Sequence, residues 1–179
     1  MTHTTKDKTS LNIAVLTVSD TRNDETDSSG NYLVQALQGA GHTLADKSIV
    51  KDDVYQMRAV ASQWIADNTI HAILVTGGTG FTERDSTPEA FAPLFDKSVD
   101  GFGELFRHIS YGEIGNSTIQ SRALAGLANN TVIFCMPGST GACKTAWTGI
   151  IEDQLDSSHR PCNFAPHITI GKKCESREQ

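Results

Sequence analysis

The sequence predicts an α/β domain, a doubly wound parallel sheet with helices on both faces. Short apolar, β-branched runs alternate with longer segments of helical periodicity along the chain. The clearest runs (11–19, 70–76 and 131–136) are apolar almost throughout, as strands covered on both faces must be. Each of the three leads into a polar or glycine-rich loop, the form expected at the carboxyl ends of strands that bind ligands.

Leu11 to Ser19 is read as a central strand ending at the polar loop Asp20-Thr21-Arg22-Asn23-Asp24-Glu25. Ser28 or Ser29 suits the cap of a helix with Leu33, Ala36, Leu37 and Ala40 on its apolar face and Gly41 as its stop. His42 to Val50 is a weaker strand. Asp52-Asp53 then opens a helix that carries Val54, Met57, Ala61, Trp64 and Ile65 on one side, with Asp53 and Gln56 in a capping-box pattern. The strand Ile70 to Thr76 meets the run Gly77-Gly78-Thr79-Gly80, and Thr87 with Pro88 reads as the N-cap and first turn of a helix reaching Phe95. Between Asp96 and Gly126 the pattern is helical but broken. Phe102, Leu105, Phe106 and Ile109 share a face, and Ser117 to Leu127 is expected to form a second helix. Thr131 to Met136 is a buried strand that enters Pro137-Gly138-Ser139-Thr140. Beyond it lies a helix with Ala142, Ala146, Trp147, Ile150, Ile151 and Leu155.

With 179 residues, one domain is expected, spanning residues 11–170 between polar tails at 1–10 and 171–179. The net charge of −6 argues against a broad nucleic-acid-binding face, which needs clustered Lys and Arg. None of the four cysteines falls in a Cys-x-x-Cys pair, so they read as reduced structural thiols, and the histidines show no metal-ligand spacing. The polar N-terminus is unlike a secretory signal and no apolar run has the length of a membrane span, so the expected location is the cytoplasm.

The glycine run admits two readings. It is a tight strand-to-helix turn, or a loop whose backbone N–H groups cradle an anion. No Gly-Lys-Ser/Thr follows it, and Glu83 occupies the third glycine position of a dinucleotide fingerprint, so neither a Walker loop nor a dinucleotide site is indicated. Asp85 and Asp52 each have a structural alternative as helix-terminus charges. Together, at strand-to-helix junctions beside a glycine loop, they suit Mg²⁺ held by one or two acids and substrate phosphates. Pro137-Gly138-Ser139 is a second anion-capable loop or a simple cap. Ser139, Ser121 and the cysteines lack a base partner visible in the sequence, so covalent catalysis is not indicated.

These segments resemble the MoaB/MogA family of molybdenum cofactor biosynthesis. The resemblance rests on Leu16-Thr17-Val18-Ser19-Asp20, Thr76-Gly77-Gly78-Thr79-Gly80, Arg84-Asp85, Thr87-Pro88-Glu89-Ala90, Gly101-Phe102-Gly103-Glu104, Ser121-Arg122-Ala123 and Pro137-Gly138-Ser139. Arg160-Pro161-Cys162-Asn163-Phe164 and Pro166-His167 are similar to the MoaB branch in particular. The resemblance implies a three-layer α/β/α Rossmann-like domain with a mostly parallel sheet, assembled as a homotrimer or hexamer. It implies Mg²⁺-dependent adenylylation of molybdopterin by ATP, giving adenylyl-molybdopterin and pyrophosphate, with other proteins of the pathway as possible partners. Carried onto this chain, the essential aspartates are Asp52 and Asp85, which would also hold Mg²⁺. The substrate and nucleotide pocket would use Ser19, Asp20, Thr76, Gly77, Gly78, Thr79, Gly80, Ser121, Pro137, Gly138 and Ser139, while Arg122 suits either an anion contact or a salt bridge. Two departures, Val75 before Thr76 and Lys51-Asp52-Asp53 where the adenylyltransferase branch tends to Pro-Asp-Glu or Pro-Asp-Asp, leave open a non-catalytic molybdopterin carrier in the same pathway.

Overall fold

The computed structural model describes residues 8–170, so the tail expected at 171–179 and most of that at 1–10 lie outside the described residues. Six strands form one sheet in the order β2-β1-β3-β6-β5-β4. The strands are β1 (Asn12–Val18), β2 (Thr43–Val50), β3 (Ala72–Thr76), β4 (Lys97–Ser98), β5 (Leu124–Ala128) and β6 (Thr131–Met136). The first, second, third and sixth are mutually parallel, while β5 runs antiparallel to β6 and β4 antiparallel to β5. The sheet is thus mostly parallel, as expected.

Alternation along the strands splits the core between the two faces. Ile13 and Val15 of β1, Leu74 of β3 and Phe134 of β6 pack toward helices α1 (Ser28–Gly39), α4 (Asp100–Ile114) and α5 (Thr140–Ala146). Helix α5 continues through a wider turn at Trp147–Ile151 into α6 (Glu152–Leu155), which adds Trp147, Ile151 and Leu155 to that face. Leu16, Ile73, Val75 and Ile133 face the other way, onto Met57 and Trp64 of α2 (Val54–Ala66) and Phe91 of α3 (Thr87–Phe91). Near the C-terminus Phe164, before the short α7 (Ala165–Ile168), meets Phe134 edge-on at 6.1 Å. Each of the fully buried large side chains among these contributes roughly 1.5–3 kcal/mol, while Phe164 is only partly buried.

Several local expectations are corrected. Ser117 to Leu127 is not a helix: a 3-10 stretch covers Gly115–Gln120, and Leu124 to Ala128 is β5. Asn129 and Asn130, both with positive φ (49° and 62°), make the two-residue turn of a β5–β6 hairpin, in which Ala128 pairs with Thr131. Asparagine tolerates that left-handed backbone, and two such residues between strands are the signal of a tight hairpin. Gly126 fits under the Phe95 ring, where a Cβ would overlap it. Asp27, not Ser28 or Ser29, caps α1 by accepting from the Gly30 N–H. Ser86, not Thr87, is the N-cap of α3, which ends at Phe91 and passes into a 3-10 turn at Ala92–Leu94. Leu105 is 44% exposed, so the buried face of α4 is Phe102 and Phe106 without it. Asp53 caps α2 as expected, accepting from the Tyr55 and Gln56 N–H groups. Cys135 and Cys143 are buried free thiols and Cys162 an exposed one, while Cys174 lies outside the described residues. Among the described residues, no helix is long and apolar enough to cross a membrane.

Candidate active site

The parallel strands β1, β3 and β6 deliver their carboxyl-end loops to one edge of the sheet. There β1 connects to β2 on one side while β3 lies on its other, which is where doubly wound sheets open a ligand crevice. A cavity of about 660 Å³ occupies this edge. All thirteen residues singled out from the sequence line it: Asp52, Asp85, Ser19, Asp20, Thr76, Gly77, Gly78, Thr79, Gly80, Ser121, Pro137, Gly138 and Ser139. They come from five separate loops.

The glycine loop is pinned from behind. Gly77 and Gly78 have φ of 109° and 65°, conformations that side chains rarely adopt. The Gly77 N–H donates to the Met136 carbonyl (3.0 Å), tying β3's exit to β6. Thr87 is buried and clamps the loop, its hydroxyl donating to the Gly77 carbonyl (2.8 Å) and its N–H to that of Gly78 (2.9 Å). Arg122 completes the frame: its Nε donates to the Gly80 carbonyl (2.8 Å), its Nη2 to that of Asp85 (3.0 Å), and its N–H to that of Thr79 (3.1 Å). Nη1 pairs with Glu89, and the guanidinium lies 5.2 Å above the Phe81 ring. Of the two roles open to Arg122, the structure shows the salt bridge, made within the chain. With these carbonyls bound, the N–H groups of Gly78 and Thr79 have no protein acceptor among the described residues. That is the state of an anion-accepting loop.

The acids beside this loop differ in character. Asp52, just before α2, accepts the Ser86 N–H (3.1 Å) and hydroxyl (2.7 Å) on Oδ1, so the cap of α3 fixes it across the cavity floor. Burial pushes its carboxyl above the ordinary range, and the nearby Asp85 and Asp20 charges push the same way, outweighing the Ser86 bonds. Asp85 goes the other way: against the cost of burial, the Thr82 hydroxyl (2.7 Å) and N–H (2.8 Å) hold it low. Asp20 is held low by Arg84, which grips it with two parallel bonds of 2.9 and 2.8 Å; Asp20 also accepts the Asp52 N–H (3.2 Å). Burial is the main reason Asp52 is raised, with the Asp85 and Asp20 charges adding to it, and a bound cation would favour its ionised form. Mg²⁺ takes one or two carboxylates and completes its shell with water and phosphate oxygens, so Asp52 and Asp85 fit it. No denser group of three or more His, Cys, Asp or Glu ligands occurs among the described residues.

The cavity lining also includes a cation that the sequence did not single out. Arg22 lines the cavity, hydrogen-bonded to Ser29 and 3.6 Å from the buried Asp27. Asp27 is already served by Lys47 at 3.2 Å, by the Thr17 hydroxyl (2.8 Å) and by the Gly30 N–H (2.9 Å). Lys47 also pairs with Asp24 at 3.8 Å, so Arg22 is the cation of this group that faces the cavity. Glu113 of α4 and Thr145 of α5, bonded to each other at 2.7 Å, also line the cavity and were not foreseen. Neither belongs to a loop or motif, and only the packing of α4 against α5 brings them to the site.

The family described as a probable molybdopterin binding domain matches residues 14–157. The chain belongs to the MoaB/MogA family. It is 58% identical over 156 residues to molybdenum cofactor biosynthesis protein B of Escherichia coli K12, covering 87% of this chain and 92% of that protein. A crystal structure of molybdenum cofactor biosynthesis protein B superposes with a TM-score of 0.80 at 42% identity, covering 82% of this chain and 92% of that one. The tungsten cofactor synthesizing protein MoaB of Pyrococcus furiosus superposes with a TM-score of 0.71 at 35% identity, covering 79% and 90%. The MoaB/MogA α/β fold expected from the resemblance is therefore the fold observed.

Proposed function

We propose that this MoaB/MogA-family chain adenylylates molybdopterin, with ATP as co-substrate and Mg²⁺ as the metal. The observation that carries the reading is the convergence of two differently tuned aspartates on a glycine loop whose Gly78 and Thr79 N–H groups are left free, inside one crevice. The free N–H groups of Gly78 and Thr79 would receive phosphate oxygens, and the Arg22 wall would receive the phosphate of the pterin. Asp52 and Asp85 would hold Mg²⁺, which supplies charge neutralisation on the nucleotide phosphates when bound.

In the transfer, an oxygen of the molybdopterin phosphate forms the new bond to the α-phosphorus of ATP. The α–β bond breaks and pyrophosphate leaves. A phosphate monoester is already largely dianionic near neutral pH, so the residues need not remove a proton. The protein's work is to align two mutually repelling anions and to offset the charge that develops. Thr87 and Arg122 serve that alignment by keeping the glycine loop rigid.

The test is to incubate the purified protein with molybdopterin, ATP and Mg²⁺ and follow adenylyl-molybdopterin and pyrophosphate. The expected result is formation of both. Asp85→Asn keeps an acceptor for Thr82 but removes the charge, and should abolish pyrophosphate release while molybdopterin still binds. Normal turnover by that variant would refute the metal role. Absence of product where a known adenylyltransferase succeeds would make the chain a carrier.

A further inference from the structure

The phosphate chemistry leaves one end of the cavity unused. There the wall is built by α4 and α5, with apolar surface from Phe106, Ile114 and Ala142, and it carries one carboxylate, Glu113. Oε2 of Glu113 is held by the Thr145 hydroxyl at 2.7 Å, and Thr145 is itself buried on α5. Oε1 takes no hydrogen bond among the described residues, and no Lys, Arg or His there forms an ion pair with this side chain. Glu113 is exposed, and a ligand that covers its carboxylate must replace the lost water with donors of its own. Both its oxygens keep lone pairs available, Oε2 having spent one on Thr145.

Accepting the reading that this crevice holds molybdopterin and ATP, we infer that Glu113 receives the pyrimidinone edge of the pterin and so selects it over adenine at this end. The pterin presents N3–H and the 2-amino group side by side, two parallel donors that match two carboxylate oxygens. Adenine presents a 6-amino donor next to the N1 acceptor, which would face an oxygen lone pair. The flat ring is accommodated between apolar side chains while its polar edge is read by a few fixed groups, the usual division of labour in small-molecule sites. Thr145 is a positioning residue: it fixes the carboxylate and touches no ligand.

The probes are 6-hydroxymethylpterin, followed by quenching of its fluorescence, and 6-hydroxymethyllumazine, in which an oxo group replaces the 2-amino group. Wild-type protein should bind the pterin at least about 10-fold more tightly than the lumazine, since a site that hydrogen-bonds a donor rejects an analogue presenting an acceptor. Glu113→Gln should weaken pterin binding by about 10- to 100-fold and bring the two affinities together, because a carboxamide offers one acceptor where the pterin needs two. Thr145→Val should fall between the two. ATP affinity with Mg²⁺, measured by calorimetry, should change less than about twofold in Glu113→Gln, and thermal melting should confirm that each variant is folded. The inference is overturned if Glu113→Gln binds the pterin as wild type does with the preference intact, or if it loses ATP affinity instead. If wild-type protein binds ATP but neither pteridine, the molybdopterin reading falls and takes the inference with it, an outcome distinct from failure at Glu113 alone.

Discussion

Gly78→Ala tests the glycine loop most directly. At φ of 65°, a Cβ on residue 78 would overlap Thr87 Oγ1 and come within 2.7 Å of Asp52 Oδ2. Thr87 cannot retreat without giving up its bond to the Gly77 carbonyl, and Asp52 is anchored to Ser86. A non-glycine residue in the left-handed region costs about 1–2 kcal/mol. Forcing a methyl group into packed surroundings adds roughly 1–3 kcal/mol. The sum, about 2–5 kcal/mol, lies within the usual stability of a domain, so the variant should fold and melt roughly 4–20 °C lower. The assay is thermal unfolding followed by circular dichroism, with Gly39→Ala as control. Gly39 ends α1 with open space around its would-be Cβ, and alanine there should gain about 0.5–1 kcal/mol. Adenylylation by Gly78→Ala should fall by far more than its stability requires, because the displaced carboxylate is Asp52. A Gly78→Ala protein that melts within about 2 °C of wild type would refute the account of this loop.

Asp52→Asn should leave the melting temperature unchanged or raised while abolishing adenylyl transfer. Burial and the Asp85 and Asp20 charges make the ionised carboxyl costly to the fold, and the amide oxygen still accepts from Ser86; a clear fall in melting temperature would contradict this. Asp27→Ala should cost about 2–4 kcal/mol at neutral pH, measured by urea denaturation, since it removes a helix cap and leaves Arg22 without its carboxylate and Lys47 with only the exposed Asp24. Although burial opposes ionisation, the Gly30 N–H, the Thr17 hydroxyl and Lys47 hold the Asp27 carboxyl below its ordinary value. Its stabilisation is therefore present above the unfolded-state pKa and is lost as pH falls through the folded one. The gap between wild type and Asp27→Ala should narrow on acidification, and a gap independent of pH would show that the charge contributes nothing.

The glycine run was ambiguous as a sequence, a turn or a phosphate cradle. What separates the two is where the carbonyls go, and that depends on Thr87 and on Arg122, a residue 42 positions beyond Gly80. Arg122 had been open to an anion contact or a salt bridge. Its three bonds to loop carbonyls and its pairing with Glu89 depend on β5 bringing residue 122 back beside the loop, and the sequence of that strand suggests helix instead. The misreading has a local cause. Leu124-Ala-Gly-Leu-Ala has no β-branched residue, and its strand character comes from the Asn129-Asn130 turn and the partner β6.

The sequence by itself pointed to the parallel core, because strands buried on both faces must be continuously apolar, and to the glycine loop with Asp52 and Asp85, because close backbone approach and metal binding favour glycine and carboxylate. Only the tertiary structure decided the antiparallel edge, the grouping of Arg22, Asp27 and Lys47 and the meeting of Glu113 with Thr145. Those depend on distances between residues far apart in the chain, and neither periodicity nor residue type encodes a distance.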